Sequence, residues 1–227
     1  MKLHIVAGSP NCHKIEAVID HLGLEVEIVE HDLPELAAPD YVALNANAMV
    51  PTLADGAFTL WESNAIMQYL ADKAGSNSLF PRDPRHRADI ARWQFWELVH
   101  FNRALGTLAF EIVARPRLNM GQANSNLVAM ALADLARFAP VLERHLTGRR
   151  YLVGDDITLA DYAVVTFESY RQAVPFDWRS YPNINAYFDR MKIVDHWART
   201  GIRDRSSVRR APRAPDALAE ASLRVSA

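Results

Sequence analysis

The chain has 227 residues, half of them hydrophobic and 23% charged, with a formal net charge of −2. That is an ordinary soluble balance with no overall bias toward nucleic acid or an anionic membrane, and no apolar run is read as long enough to span a bilayer. The N-terminus opens on an apparent core strand rather than a signal sequence, which makes the cytoplasm the default compartment, and the single cysteine, Cys12, excludes an internal disulfide or a Cys-x-x-Cys pair.

Leu3-His4-Ile5-Val6 is β-prone, and a turn follows at once. Gly8 eases that turn, Ser9 suits a helix N-cap and Pro10 suits the first helical position, where its missing N–H costs nothing. Cys12, Ile15, Val18, Ile19 and Leu22 then recur at spacings of three and four, as on the inward stripe of a helix that Gly23 can stop. His13 and Lys14 are assigned to its solvent side. A helix N-terminus of this kind favours negative charge, on a bound anion or on a sulfur that must become a thiolate.

Val26 to Val29 predicts a second strand, parallel to the first as in a β-α-β unit. Residues 30–48 have weak periodicity with Pro34 and Pro39, and predict a loop with a short helix. Thr52-Leu53-Ala54 and Phe58-Thr59-Leu60 flank Asp55-Gly56, a hairpin signal. Glu62-Ser63-Asn64 then opens a helix with Ile66, Met67, Tyr69 and Leu70 on its apolar side, ending near Gly75. The order β-α-β-α-β-β-α describes a small mixed sheet.

Beyond the linker the composition turns helical. Residues 86–114 carry a nearly all-round apolar pattern, from Ile90 and Trp93 through Phe101 to Leu105, which suits a central helix ended by Pro116. A second long helix is predicted from Ala123 to Leu146, with Pro140 inside it. Thr158 and Asp161 form a capping-box-like pair before a third helix, and a fourth runs from Pro182 to about Val194. The last stretch changes character from Arg199 onward: between 199 and 213, Arg199, Arg203, Arg205, Arg209, Arg210 and Arg213 face a single acid, Asp204. Such a run reads as a solvated tail, or as a segment that covers a site or lends an arginine to an anion.

Three fragments in this order, Ser9-Pro10-Asn11-Cys12-His13-Lys14 after the first strand, Val50-Pro51-Thr52-Leu53, and Glu62-Ser63-Asn64-Ala65-Ile66, resemble the thioredoxin-like domain of cytosolic glutathione S-transferases. The resemblance covers roughly residues 1–200 and is of a bacterial type with a serine or nu-like turn. It implies an α/β thioredoxin-like N-terminal domain over 1–76, a linker over 77–85, an all-α helical domain over 86–200 and a basic tail over 201–227. It also implies glutathione as co-substrate, a small electrophile as second substrate, a role in detoxification and a homodimer. No residue pattern calls for a metal, a nucleotide or a hydrolase elbow, and neither nucleic acid nor membrane is expected as a partner.

The resemblance assigns roles residue by residue. Val50, followed by a cis Pro51, presents its backbone to the cysteinyl part of glutathione like an added strand; read from the residues alone, Pro51 equally begins an edge strand. Ser63 clamps the γ-glutamyl carboxylate and Glu62 faces the ammonium, roles compatible with a plain helix start. Ser9 donates to the glutathione sulfur, the alternative being a mere N-cap. A thiol near pKa 8.5 needs about 2.7 kcal/mol to fall by two units. One charge-assisted hydrogen bond gives about 1.5–3 kcal/mol and a helix N-terminus about 0.3–1, so no general base is required.

Asn11 is the second candidate for the sulfur. Cys12 reads as a packed thiol, or else as the nucleophile of a glutathione-dependent disulfide reductase. Trp93, Trp96, His100 and Arg103 are the candidates for the electrophile pocket. One departure stands out: before Val50 the family often has Asn-Pro-x-Gly and a basic or amide donor for the glycyl carboxylate, whereas this chain has Asn45-Ala46-Asn47-Ala48-Met49. The expected activity is glutathione transfer to an electrophile; the alternatives are the reductase and a non-catalytic scaffold that kept the fold.

Overall fold

The computed structural model describes residues 1–200 and the backbone of Arg209–Arg210. The described chain forms two compact units, one made of residues 1–12 and 25–66 with the 209–210 pair, the other of 13–24 and 67 onward.

The first unit is built on a five-stranded mixed sheet. Strand β1 (Lys2–Ile5) lies at its centre, parallel to β2 (Glu27–Glu30) and antiparallel to β3 (Thr52–Asp55), which pairs with β4 (Phe58–Trp61). Because β1 is covered on both faces, Leu3, His4 and Ile5 are all buried rather than alternating. The β3–β4 hairpin turns through Gly56-Ala57, with Gly56 at φ +61° where an L side chain is strained. Between β2 and β3 run a 3₁₀ turn (Leu33–Ala37) and the short helix α2 (Pro39–Leu44), as the weak periodicity predicted. The expected tail lies outside the described residues except for Arg209–Arg210, a two-residue strand β5 that pairs in parallel with Val29 and Glu30 of β2.

Helix α1 (Pro10–Leu22) starts in the first unit and belongs to the second from His13. Gly23 ends it at φ +62°, its N–H donating to the Asp20 carbonyl and that of Leu24 to Ile19. The solvent-side assignment of Lys14 is wrong: this side chain is 0% exposed, with Nζ 3.3 Å from Glu97 Oε1. Its neighbours Ile15 and Val18 bury the same stripe, and a long side chain there must end on a buried acid. His13 is part-buried, its ring against Trp197 with a centroid separation of 4.0 Å.

In the second unit, helix α3 (Ser63–Lys73) closes with Gly75 at φ +66°, its first turn lying in the first unit. The long central helix is one helical run of three pieces, α4 (Pro84–Trp96), α5 (Asn102–Ala109) and α6 (Arg115–Arg117), joined by π-helical turns at Glu97–Phe101 and Phe110–Ala114. The run ends at Arg117, one residue past Pro116, in line with the stop that the proline predicts. Helix α7 (Ser125–His145), capped by Asn124, packs against α5 and buries Ala131, Leu135, Ala139 and Leu142 along one side.

Contrary to the reading of the sequence, α7 is long and apolar enough to cross a bilayer by length and composition alone. Asp134 and Arg137 at its middle and a buried stripe along one side mark it instead as an amphipathic packing helix. Helices α8 (Leu159–Val164), α9 (Pro182–Lys192) and α10 (Asp195–Thr200) complete the described unit. At the head of α8 the predicted capping box is present. Asp161 is fully buried and accepts from the N–H groups of Thr158 at 2.8 Å and Leu152 at 2.9 Å and from the Tyr187 hydroxyl at 3.1 Å.

Candidate active site

The turn into α1 is closed by two backbone bonds, Ser9 N–H to Val6 and Cys12 N–H to Ser9, each 3.1 Å, with Gly8 at φ +79°. Ser9 and Asn11 are partly exposed there, whereas Cys12 is 1% exposed and faces the core, as expected of its place on the apolar stripe. The start of α3 meets this turn: Ser63 Oγ donates to Asn11 Oδ1 over 3.4 Å. Two helix N-termini and their polar first residues are therefore side by side in the first unit, a setting that favours anions.

Glu62, exposed just before Ser63, holds φ at +72°, a left-handed conformation that costs a non-glycine residue about 1–2 kcal/mol. Its carbonyl accepts the Ile66 N–H at 3.0 Å, so the strained residue also starts the helix. A strained residue at the mouth of two helix N-termini is a mark of a working site.

The Val50–Pro51 bond is cis, as the resemblance implies. Sequence reasoning missed what holds the loop before it. The Met49 carbonyl accepts from the Tyr41 hydroxyl at 2.7 Å and from Asn45 Nδ2 at 2.9 Å. Thr52 Oγ1 lies 3.0 Å from Tyr41 Oη, 3.0 Å from Asn45 Nδ2 and 3.3 Å from the same carbonyl. With Tyr41 donating to Met49, the Thr52 hydroxyl completes the set by donating to Tyr41 at the shorter of its distances. Asn45 Oδ1 in turn receives both the N–H and the side-chain amide of Asn47. Burial pushes the Tyr41 phenol up to about 12, which keeps it a donor at every physiological pH.

Beneath Tyr41 lie His4 and His31, their rings stacked at 5.1 Å and their nitrogens 2.8 Å apart. One ring must donate and the other accept. Burial holds both below the ordinary histidine value, His4 down to about 4.

The four electrophile candidates are distributed over the second unit. Trp93 and Trp96, edge to face at 5.0 Å, line a recess of about 370 Å³ with Arg92, Val141, Arg144 and His145. Arg103 lines a larger one of about 600 Å³ with Thr107, Phe110, Leu127 and Met130. His100 lines neither of these and stacks on Phe138 at 4.3 Å. Among the described residues no group of three or more His, Cys, Asp or Glu is arranged to hold a metal ion.

A mixed sheet with a cis-proline loop beside two helix N-termini, followed by an all-helical unit, defines the thioredoxin-like transferase class. Family models agree: the glutathione S-transferase N-terminal domain matches residues 1–72 and the glutathione S-transferase C-terminal domain matches residues 101–192. The chain is 36% identical to glutathione S-transferase 3 of Zea mays over 71% of this chain and 73% of the relative. It is 32% identical to a probable glutathione S-transferase, GSTF2, of Oryza sativa subsp. japonica, over 83% and 89%. A solved structure of glutathione S-transferase-I bound with lactoylglutathione superposes with a TM-score of 0.79 at 26% identity, covering 88% of this chain and 97% of that one. The chain belongs to the glutathione S-transferase family. Both of these relatives are plant proteins, which gives the bacterial-type subclass no support.

Proposed function

We propose that this glutathione transferase binds glutathione on the first unit and activates its thiol at Ser9. The observation that carries the reading is the contact of Ser63 with Asn11, which joins the N-termini of α1 and α3 beside the cis-proline loop. In this reading Val50 pairs with the cysteinyl peptide group, Pro51 fixes the loop, Ser63 takes the γ-glutamyl carboxylate and Glu62 faces the ammonium. The Ser9 hydroxyl donates to the sulfur and Asn11 supports it. The thiol proton leaves to solvent, and the thiolate attacks a small electrophile, for which Trp93, Trp96, His100 and Arg103 are the candidate contacts.

The binding domain is assigned to residues 1–76 and the helical domain to 86–200, in a cytoplasmic enzyme of detoxification with a serine or nu-like turn. The homodimer of this reading is supported by the apolar side chains exposed along the central helical run, Phe95 at 68% with Leu98 and Val99 beside it. The reductase alternative would work through Asn11 or Cys12; the burial of the Cys12 thiol weighs against the Cys12 route.

The test is calorimetric titration with glutathione, then a thiol-conjugation assay on wild type and Ser9→Ala. Retained binding with kcat/KM lowered about 10- to 100-fold, and a bound-thiol pKa raised by one to two units, is the expected result. An unchanged rate would remove Ser9 from the mechanism.

A further inference from the structure

Glutathione carries two carboxylates, and the site described above receives only the γ-glutamyl one. The direction of pairing locates the other. Thr52 pairs with Trp61, so Ser63, two residues past Trp61, lies beside the start of β3. A thiol peptide adding antiparallel at Val50 with its γ-glutamyl end toward Ser63 runs its third residue past Met49.

Among the described residues, the loop before Val50 offers no charge there. Residues 46–49 are Ala-Asn-Ala-Met, and the Met49 side chain is 64% exposed. Residues 1–12 and 25–66 contain eight carboxylates and one Lys or Arg, Lys2, which stands 3.4 Å from Glu27. A second carboxylate at this edge meets no charged side chain of residues 46–50, and the other described Lys and Arg residues of the unit, Arg209 and Arg210, lie on β5 at the opposite edge of the sheet from β3 and β4. The polar groups of the loop are also committed inward: Asn45 and Tyr41 hold the Met49 carbonyl, and the Asn47 amide donates to Asn45.

From this, and resting on the assignment of Val50 and Ser63 above, we infer that the enzyme recognises the γ-glutamylcysteinyl half of its co-substrate and not the terminal carboxylate. Its thiol co-substrates are γ-glutamylcysteinyl peptides irrespective of the charge on the third residue.

The experiment is calorimetric titration of the 227-residue chain, at low ionic strength, with glutathione and with glutathione whose glycyl carboxylate is converted to the amide. A carboxylate read by a charged donor is worth about 10- to 100-fold in Kd, so the expected result is two Kd values within threefold of each other. Met49→Lys, a change at an exposed side chain, is expected to tighten glutathione at least about fivefold and leave the amide unchanged. Glutathione binding with the amide tenfold weaker overturns the inference while the site reading stands, because a cation elsewhere then reads the carboxylate. A Met49→Lys protein that does not separate the two ligands overturns the placement of the third residue. Failure of both ligands to bind overturns the site reading and the inference together.

Discussion

The hydroxyl of Tyr41 donates to the carbonyl oxygen of Met49 over 2.7 Å, from a side chain 3% exposed. That carbonyl immediately precedes Val50, whose own backbone groups are assigned to the co-substrate, so the phenol fixes the plane of the peptide unit leading into the binding strand. Tyr41→Phe removes this one donor and leaves Asn45 and Thr52, a loss of about 1 kcal/mol. Initial-rate kinetics should give a KM for glutathione raised about 3- to 10-fold with kcat near wild type, since the sulfur is activated elsewhere. An unaltered KM would mean that the remaining two donors hold the loop unaided.

Much of the fold was legible in the sequence. Gly8, Ser9 and Pro10 dictate a turn into a helix by local chemistry, Thr158 and Asp161 a capping box, and Asp55-Gly56 a hairpin; all three appear where local rules put them. Tyr41, Asn45 and Thr52 were not legible. They are seven and eleven residues from one another along a segment without periodicity, and their common purpose exists only once the chain has folded back on Met49. Lys14 failed for a related reason. A charged residue beside an apolar stripe reads as exposed until its acid, eighty-three positions away, is in place.

The Lys14–Glu97 pair carries a second prediction. Both side chains are buried, and Glu97 Oε2 also accepts from Asn102 at 2.7 Å. Removing one partner leaves a charge in the interior, so Lys14→Met should cost about 3–5 kcal/mol in urea unfolding. Lys14→Met combined with Glu97→Leu should recover most of that loss, because no buried charge then remains. A double variant as unstable as the single one would show that the pair contributes through its packing rather than its charge.

The His4–His31 pair makes stability pH-dependent in a defined direction. Unfolded histidine binds its proton near 6.5, while burial holds folded His4 at about 4, with Lys2 and His31 opposing protonation and Glu27 favouring it. Glu35, 3.7 Å from His31, acts in favour of protonating that second ring. Between pH 6.5 and about 4 the unfolded chain therefore binds more protons at His4, and this contribution to stability is lost as pH falls through that window. The urea midpoint should drop between pH 7.5 and 5.0 by less in His4→Asn than in wild type. Equal drops would place the pH dependence on other groups.

Asp161 works in the opposite sense. Burial pushes its carboxyl up to about 6, against the hydrogen bonds from Thr158, Leu152 and Tyr187, which favour the ionised form. The folded chain then binds the extra proton between about 3.8 and 6, and the contribution of this group falls as pH rises through that range. Its hydrogen bonds nonetheless make the side chain indispensable to α8: Asp161→Ala leaves the Leu152 and Thr158 N–H groups buried without their acceptor. At about 1–3 kcal/mol for each orphaned donor, the expected cost is roughly 3–5 kcal/mol. In a chain of this size that lowers the Tm by roughly 6–20 °C. The folded fraction of Asp161→Ala should keep the wild-type KM for glutathione, since the residue caps a helix of the second unit and its hydrogen bonds go to Leu152, Thr158 and Tyr187. A variant with normal Tm and raised KM would instead make Asp161 part of the binding site.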